Sequence, residues 1–390
     1  MSVALVTETY PPEINGVAHT LHHIVQGLLA RGHRVHLVRP HQGADDVLSP
    51  PHARLTERRV AGLPIVGYKG LHLGLPARGL LLRCWRRQTP DAVYIATEGP
   101  LGASALNAAR RLDIPVLSGF HTNFHSYSRY YRMGLLEPLI QRYLRRFHNR
   151  TDCTLVPTEA LRRDLAARGF DNCEVLARGV DTTLFHPQRR DPALREAWGV
   201  GDDETVVLYV GRLAAEKNLG LAVEGFRAMQ TRNPKLRFVL VGDGPATAEL
   251  KRLNPDFVFC GMRTGEDLAR HYASGDVFLF PSTSETFGNV VIEAMASGLA
   301  IVAYDYAAAR EHLRHEQSAL LAPFDDAGRF VALAREMATS PELIARLRHA
   351  ARNDALPLDW QRIHARLEDL FEAHLKKRGE RHAPAAATHE

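Results

Sequence analysis

Short apolar runs alternate with helical periodicity and glycine-bearing turns along nearly the whole chain. In the first half the runs are Val3–Val6, Val35–Val38, Ala92–Ile95, Pro115–Ser118 and Cys153–Val156. In the second half they are Val206–Val210, Arg237–Val241, Phe257–Phe259, Val277–Phe280 and Ala300–Val302. Runs this short and apolar read as strands buried on both faces. Between them lie amphipathic stretches such as Ala18–Leu29, stopped at Gly32, and Leu101–Leu112. Strand, turn, helix, strand is the βαβ unit of a parallel sheet, and here the pattern runs twice. It predicts an α/β protein with an N-terminal domain over residues 1–187, entered by Met1–Val6 as its first strand. A polar, proline- and glycine-bearing linker over 188–204 opens a second domain that ends near 356. After Leu321 the pattern is helical over about 325–355. Leu356-Pro357 then breaks it, and a last helix is expected over 357–377. The Ala/His/Pro-rich tail 378–390 reads as disordered.

One stretch concentrates chemistry. After the apolar run at 277–280 comes Pro281-Ser-Thr-Ser-Glu285-Thr-Phe287-Gly288-Asn289-Val290-Val-Ile-Glu293, then a helix that Gly298 ends. Gly288 and Asn289 fall where the helix begins. A helix N-terminus offers backbone N–H groups and the positive dipole end to an anion. Glu285 and Glu293, with seven residues between them, accept hydrogen bonds from hydroxyls and repel phosphate. Two carboxylates flanking an anion-binding turn suit a ligand with hydroxyl-rich ends and a phosphate middle, which is the shape of a nucleotide sugar. The same two glutamates are equally readable as solvated surface. Arg212 and Lys217 add weight, because they flank the turn after Val206–Val210. There two cations can neutralise a diphosphate, Arg by its fork of donors and Lys as a point charge. Gly242-Asp243-Gly244 follows the next strand.

The first domain gives weaker signals. Gly16 lies in the first strand-to-helix turn, where a bare backbone can approach a ligand or simply make the turn. It stands without the further glycines of a dinucleotide fingerprint, which argues against NAD or FAD. His121 sits just past a strand's carboxyl end, where ligands bind in open α/β sheets. His121 and His125 also read as a metal pair or as plain loop histidines. Lacking a third ligand, the metal reading is set aside.

Composition narrows the class. The chain has 390 residues, 45% hydrophobic and 24% charged, as in a soluble globular protein, and no apolar run long enough to span a bilayer. The start lacks a basic lead and meets Glu8 at once, so it does not read as a signal peptide. Cys84, Cys153, Cys173 and Cys260 are scattered, which suggests reduced thiols in a cytoplasmic protein and not a disulfide framework or zinc site. The net charge of +5 divides unevenly, with residues 1–190 basic and the remainder acidic. Residues 128–150 hold six arginines and one acid. From Pro138, Leu139, Ile140, Tyr143, Leu144 and Phe147 share one helical face and the arginines another. Such a helix fits an anionic membrane surface or an ordinary core contact. No aromatic-basic nucleic-acid motif is evident. No Asp-x-Asp occurs, so the cations and the helix N-terminus would do the electrostatic work of a metal.

Together, Pro-Ser-x-x-Glu-x-Phe-Gly-Asn-Val-x-x-Glu-Ala-Met-Ala-x-Gly at 281–298, Gly211-Arg-Leu…Glu-Lys-Asn218, Gly242-Asp-Gly244 and Gly179-Val-Asp181 resemble a retaining nucleotide-sugar glycosyltransferase of family 4. Tyr10-Pro-Pro…Asn15-Gly16-Val and Phe120-His-Thr-Asn123 look most like its GDP-mannose-dependent α-mannosyltransferases and glycolipid-forming members. The resemblance spans residues 3–375. It implies the GT-B fold, with two Rossmann-like domains facing across a cleft and a C-terminal helix crossing back to the first. It implies catalytic roles for His121, Arg212, Lys217 and Glu285. Arg212 and Lys217 would hold the leaving diphosphate, Glu285 the donor sugar's hydroxyls, and His121 would line the sugar pocket. Gly16, the backbone of Phe287, Gly288, Asn289 and Val290, Glu293 at the ribose and Arg263 at the base would complete the donor site. It implies no cofactor and no metal, GDP-mannose as donor with a UDP-hexose second, and a lipid or glycan acceptor at the inner membrane face, lipid being favoured only by the basic helix at 128–150. The remaining alternatives are a UDP-hexose-dependent glycolipid synthase, a same-fold epimerase or phosphorylase, and a non-catalytic nucleotide-sugar-binding protein.

Overall fold

The computed structural model describes residues 1–382 except 14, 44–45, 47, 65–71, 122–136, 202–203 and 339. They fall into two compact units. One is built from described residues within 1–121, 137–177 and 360–382, the other from residues within 178–359.

In the first unit the strands are β1 (Ser2–Val6), β2 (Arg34–Pro40), β3 (Leu55–Val60), β4 (Gly62–Pro64), β5 (His72–Gly74), β6 (Ala92–Ile95), β7 (Val116–Gly119), β8 (Cys153–Val156) and β9 (Cys173–Val175). The helices are α1 (Gly16–Ala30), α2 (Arg78–Arg87), α3 (Pro100–Arg111), α4 (Glu137–His148) and α5 (Glu159–Ala167). The main sheet is parallel, in the order β3-β2-β1-β6-β7-β8-β9. Helix α1 forms where the sequence expects it. The Asn15 side chain accepts from the Val17 and Ala18 N–H groups, and Leu21, Ile24, Val25 and Leu28 bury one face.

Strand β3 was not evident in the sequence, because Leu-Thr-Glu-Arg-Arg-Val has no apolar run. Its Glu57 instead pairs at 2.8 Å with the fully buried Arg39 of β2, which also holds Asp46 at 2.7 Å. Edge strand β9 is only three residues long.

In the second unit the strands are β10 (Val206–Val210), β11 (Arg237–Val241), β12 (Val258–Gly261), β13 (Val277–Phe280), β14 (Ala300–Tyr304) and β15 (Leu320–Ala322). The helices are α6 (Pro192–Ala197), α7 (Leu219–Gln230), α8 (Thr247–Leu253), α9 (Gly265–Ser274), α10 (Asn289–Ala296), α11 (Ala307–His312), α12 (Ala327–Met337) and α13 (Pro341–Ala355). This sheet too is parallel, in the order β12-β11-β10-β13-β14-β15. The single helix expected over 325–355 is two. Ser340 accepts from the Leu343 N–H and Pro341 takes the first turn, so a cap and a proline start α13 afresh.

The last helix, α14 (Trp360–His382), belongs to the first unit. Leu367, Leu370 and Phe371 are buried among Val3, Leu21, Ile24, Val25 and Leu28. Each such side chain is worth about 1.5–3 kcal/mol when taken out of water. Trp360 stacks on His23 at 4.6 Å, and Glu368 pairs with Arg31 and His33. The expectation that order ends at 377 is corrected: the helix continues to His382 because Arg378 reaches back to Asp113 and Asp152. Residues 383–390 lie outside the described residues.

Candidate active site

Strand β10 lies between β11 and β13, so the chain leaves it in one direction and returns on the other side. The crevice beyond the carboxyl ends of β10 and β13 is therefore the switch point where open α/β sheets bind ligands. Both strands are buried throughout, which fixes where their exit loops begin.

Glycines set the path of these loops. Gly242 adopts φ +134, and a Cβ there would lie 2.0 Å from the Gly211 carbonyl oxygen. A Cβ at Gly244 would lie 2.3 Å from the Leu213 carbonyl oxygen. Only glycine lets the turns after β10 and β11 lie against each other, with the Leu213 N–H donating to the Asp243 carbonyl. The first of these turns then carries Arg212 and, on a short 3₁₀ turn (Ala215–Lys217), Lys217.

After β13, Gly288 takes a left-handed conformation at φ +92 and α10 starts at Asn289. This brings the charged residues together. The Lys217 ammonium forms an ion pair with Glu285 Oε1, both side chains being largely buried. Ser282 Oγ donates to the same carboxylate oxygen at 2.7 Å, and Tyr306 donates to the Glu285 carbonyl at 2.6 Å. Arg212 pairs at 3.4 Å with Glu216, whose carbonyl accepts from Ser284 Oγ at 2.9 Å. Beneath them the Tyr209 hydroxyl donates to the Arg212 carbonyl. Burial, helped by the nearby Glu285 and Glu216, pushes Tyr209 well above the usual tyrosine range.

Glu293 is buried one turn into α10 and accepts from the Tyr272 hydroxyl at 2.9 Å. Burial raises its pKa to about 7 against the opposing hydrogen bond from Tyr272. Phe287 turns its ring into the core against His312, so only its backbone can face a ligand. Val290 is partly buried.

Arg263, past β12, is engaged with its own loop: Nε donates to the Cys260 carbonyl and Nη1 pairs with Asp267. The structure thus joins Lys217 to Glu285 directly and Arg212 through Glu216, while Arg263 keeps local partners. In the first unit, exposed Gly16 begins α1, and buried His121 faces the Tyr94 hydroxyl at 2.9 Å through Nε2. His125 and residues 128–136 lie outside the described residues.

Sequence reasoning missed several partners. Ser282 lies within the quoted motif, three residues before Glu285. Tyr272 arrives from α9 with no signal at all. Glu8 entered the sequence reading only as the acid that follows the first apolar run. It is buried at the equivalent switch point of the first sheet, between β1 and β6, and accepts from the Leu101 N–H at the start of α3. Burial and the nearby Glu98 raise its pKa to about 7, although two backbone N–H groups oppose the shift.

Two parallel-sheet Rossmann-like domains, with these cations, carboxylates and helix N-terminus at one switch point, define a GT-B glycosyltransferase. Residues 14–184 match the model described as Glycosyltransferase Family 4, and residues 204–340 the one described as Glycosyl transferases group 1. A GDP-mannose-dependent alpha-mannosyltransferase of Mycobacterium tuberculosis is 33% identical, covering 98% of this chain and 99% of that protein. An alpha-monoglucosyldiacylglycerol synthase of Streptococcus pneumoniae is 28% identical over 78% of this chain and 71% of its own. Among solved structures, the sucrose-phosphate synthase of Thermosynechococcus elongatus shares the fold with a TM-score of 0.78, 18% identity and 96% and 99% coverage. The chain belongs to glycosyltransferase family 4 and is an enzyme of hexosyl transfer.

Proposed function

We propose that this enzyme transfers mannose from GDP-mannose to a lipid or glycan acceptor at the cytoplasmic face of a membrane, with retention and without a metal. The observation that carries the reading is the Lys217–Glu285 pair. It sets a diphosphate-binding cation beside a hydroxyl-binding carboxylate at the switch point of the sheet. Arg212 and Lys217 hold the diphosphate, the α10 N-terminus adds backbone N–H groups from Phe287 to Val290, and Glu293 binds the ribose. Arg263 swings from Asp267 to the base. Gly16 and His121 keep the roles that the family resemblance gives them. The bond from the anomeric carbon to the phosphate oxygen breaks, and a bond to the acceptor oxygen forms on the same face. The acceptor's proton passes to the leaving diphosphate. Stabilising that leaving charge by fixed electrostatics is the main catalytic task.

The GDP-mannose-dependent relative supports the donor, and the diacylglycerol-glucosylating relative supports a lipid acceptor. The latter also favours the glycolipid-synthase part of the second reading, in which the donor is a UDP-hexose. Helix α4 fits a membrane contact in part. Leu144 and Phe147 go into the core, whereas Leu139 and Tyr143 are exposed beside Arg142, Arg145 and Arg146. No described helix is long and apolar enough to cross a membrane. The test is incubation of the purified enzyme with labelled GDP-mannose, anionic lipid vesicles and a chelator. Label should enter the lipid phase, and UDP-glucose should not replace GDP-mannose. Transfer from UDP-glucose alone would establish the second reading instead.

A further inference from the structure

Helix α14 presents Arg366, Leu370, His374 and Arg378 at four-residue intervals, which is a single stripe. Leu370 packs into the core, and Arg378 reaches Asp113 and Asp152. The stripe therefore faces the β8–β9 end of the sheet. There Leu155 pairs in register with Glu174, so Cys153, two residues earlier, is a diagonal neighbour of Glu174 on the same face. Cys153 Sγ, a Glu174 carboxylate oxygen and a His374 ring nitrogen consequently lie within 4.8 Å of one another.

We propose that Cys153, Glu174 and His374 form a binding site for a borderline divalent cation such as zinc, which staples the returning helix to β8 and β9. A thiolate, an imidazole and a carboxylate are the donor set that zinc favours, with water in the fourth position. With metal–nitrogen and metal–oxygen bonds of about 2.0–2.1 Å, neighbouring ligand atoms in a tetrahedron lie roughly 3.3–3.5 Å apart. Glu174 Oε1 and His374 Nε2 are 3.4 Å apart. The other carboxylate oxygen, Oε2, is engaged by Arg366 at 3.4 Å, so one oxygen is oriented by a cation while the other faces the site. Binding releases the Cys153 thiol proton to solvent. The resulting thiolate, carboxylate and neutral imidazole carry two negative charges against the two positive charges of the ion. The site is built from the first unit alone and shares no residue with the donor site, so it stands or falls separately from the proposed transfer.

Cysteine spacing argued against a zinc site, because these ligands come from two strands and a helix two hundred residues later. The test uses the full chain, stripped with a chelator and kept reduced with a phosphine, and titrated with cobalt(II). A sulfur-to-cobalt charge-transfer band should appear with the intense visible bands of four-coordinate cobalt, and zinc should abolish both. Cys153→Ser should lose the charge-transfer band, Cys173→Ser should keep it, and His374→Ala should lose the four-coordinate visible bands. Zinc should raise the melting temperature of wild type and not of Cys153→Ser. Glu174→Gln, on the half-exposed edge strand β9, is a near-isosteric variant that should fold, and it should need more cobalt for the same spectrum. Absence of the band in wild type, its survival in Cys153→Ser, or unchanged titration of Glu174→Gln would overturn the site.

Discussion

Lys217→Ala should lower turnover by about 10²–10³-fold, the usual loss when one preorganised contact to a developing charge is removed. Arg212→Ala should do the same. Each change also bears on the fold. Arg212 is half-exposed and its 3.4 Å pair with Glu216 is long, but Glu216 is buried, so Arg212→Ala should lower the melting temperature modestly. Lys217 is largely buried against Glu285, and removing it leaves a carboxylate without its cation. Lys217→Ala should therefore lower the melting temperature as well. Adding Glu285→Gln should restore stability, which tests the ion pair, while turnover stays low because Glu285 belongs to the donor site too. Steady-state rates with GDP-mannose and melting curves of the three variants are the measurements. Turnover near wild type in both single variants would refute the donor site, and turnover recovered with stability in the double variant would make Lys217 structural.

Glu293→Gln should make the protein more stable at pH 8 and weaken nucleotide binding. The folded state raises the Glu293 pKa from 4.5 to about 7 by burial. Between those values the folded protein keeps a proton that the unfolded chain releases. Wild-type stability therefore falls as pH rises through that window, by at most about 3 kcal/mol in all. A glutamine has no charge to bury and still accepts from Tyr272, so the variant should show a flatter profile and its advantage only toward alkaline pH. A ribose diol, however, donates to an ionised carboxylate more strongly than to an amide. Nucleotide affinity should drop roughly 10-fold or more. Denaturation at pH 5 and pH 8 with a nucleotide titration checks both. Equal destabilisation at both pH values would mean that Glu293 is simply a packed core residue.

The parts of this enzyme that were legible in the sequence are those governed by local rules. Most buried strands of both sheets announce themselves as apolar runs, as at Val206–Val210 and Val277–Phe280, and their order along the chain implied the parallel sheets, whereas the buried three-residue β15 was too short to read. Strand β3 did not announce itself, because its partner is the buried Arg39 and its charges are satisfied by long-range pairing. Local reasoning also stopped short at the split between α12 and α13, where Ser340-Pro341 carried the cap signal. At the site, Arg212, Lys217, Glu285 and Glu293 were named from spacing and chemistry. Which of them would touch depended on β10 and β13 being neighbours. The partners that tune them, Tyr272 and Tyr306, come from segments whose sequences show no functional pattern. Gly242 and Gly244 were read as motif letters, and their physical reason is the Gly211 and Leu213 carbonyls pressed against them.

Thermal denaturation with GDP, UDP, ADP and their hexose conjugates, in a chelator, tests the guanine-nucleotide donor site proposed at the β10–β13 switch point. A ligand present at ~100 times its dissociation constant adds about 2.7 kcal/mol of stability. GDP and GDP-mannose should give a clear upward shift, reduced in Lys217→Ala and in Glu293→Gln. No shift with any nucleotide, or a shift with UDP and its sugars alone, would contradict that site.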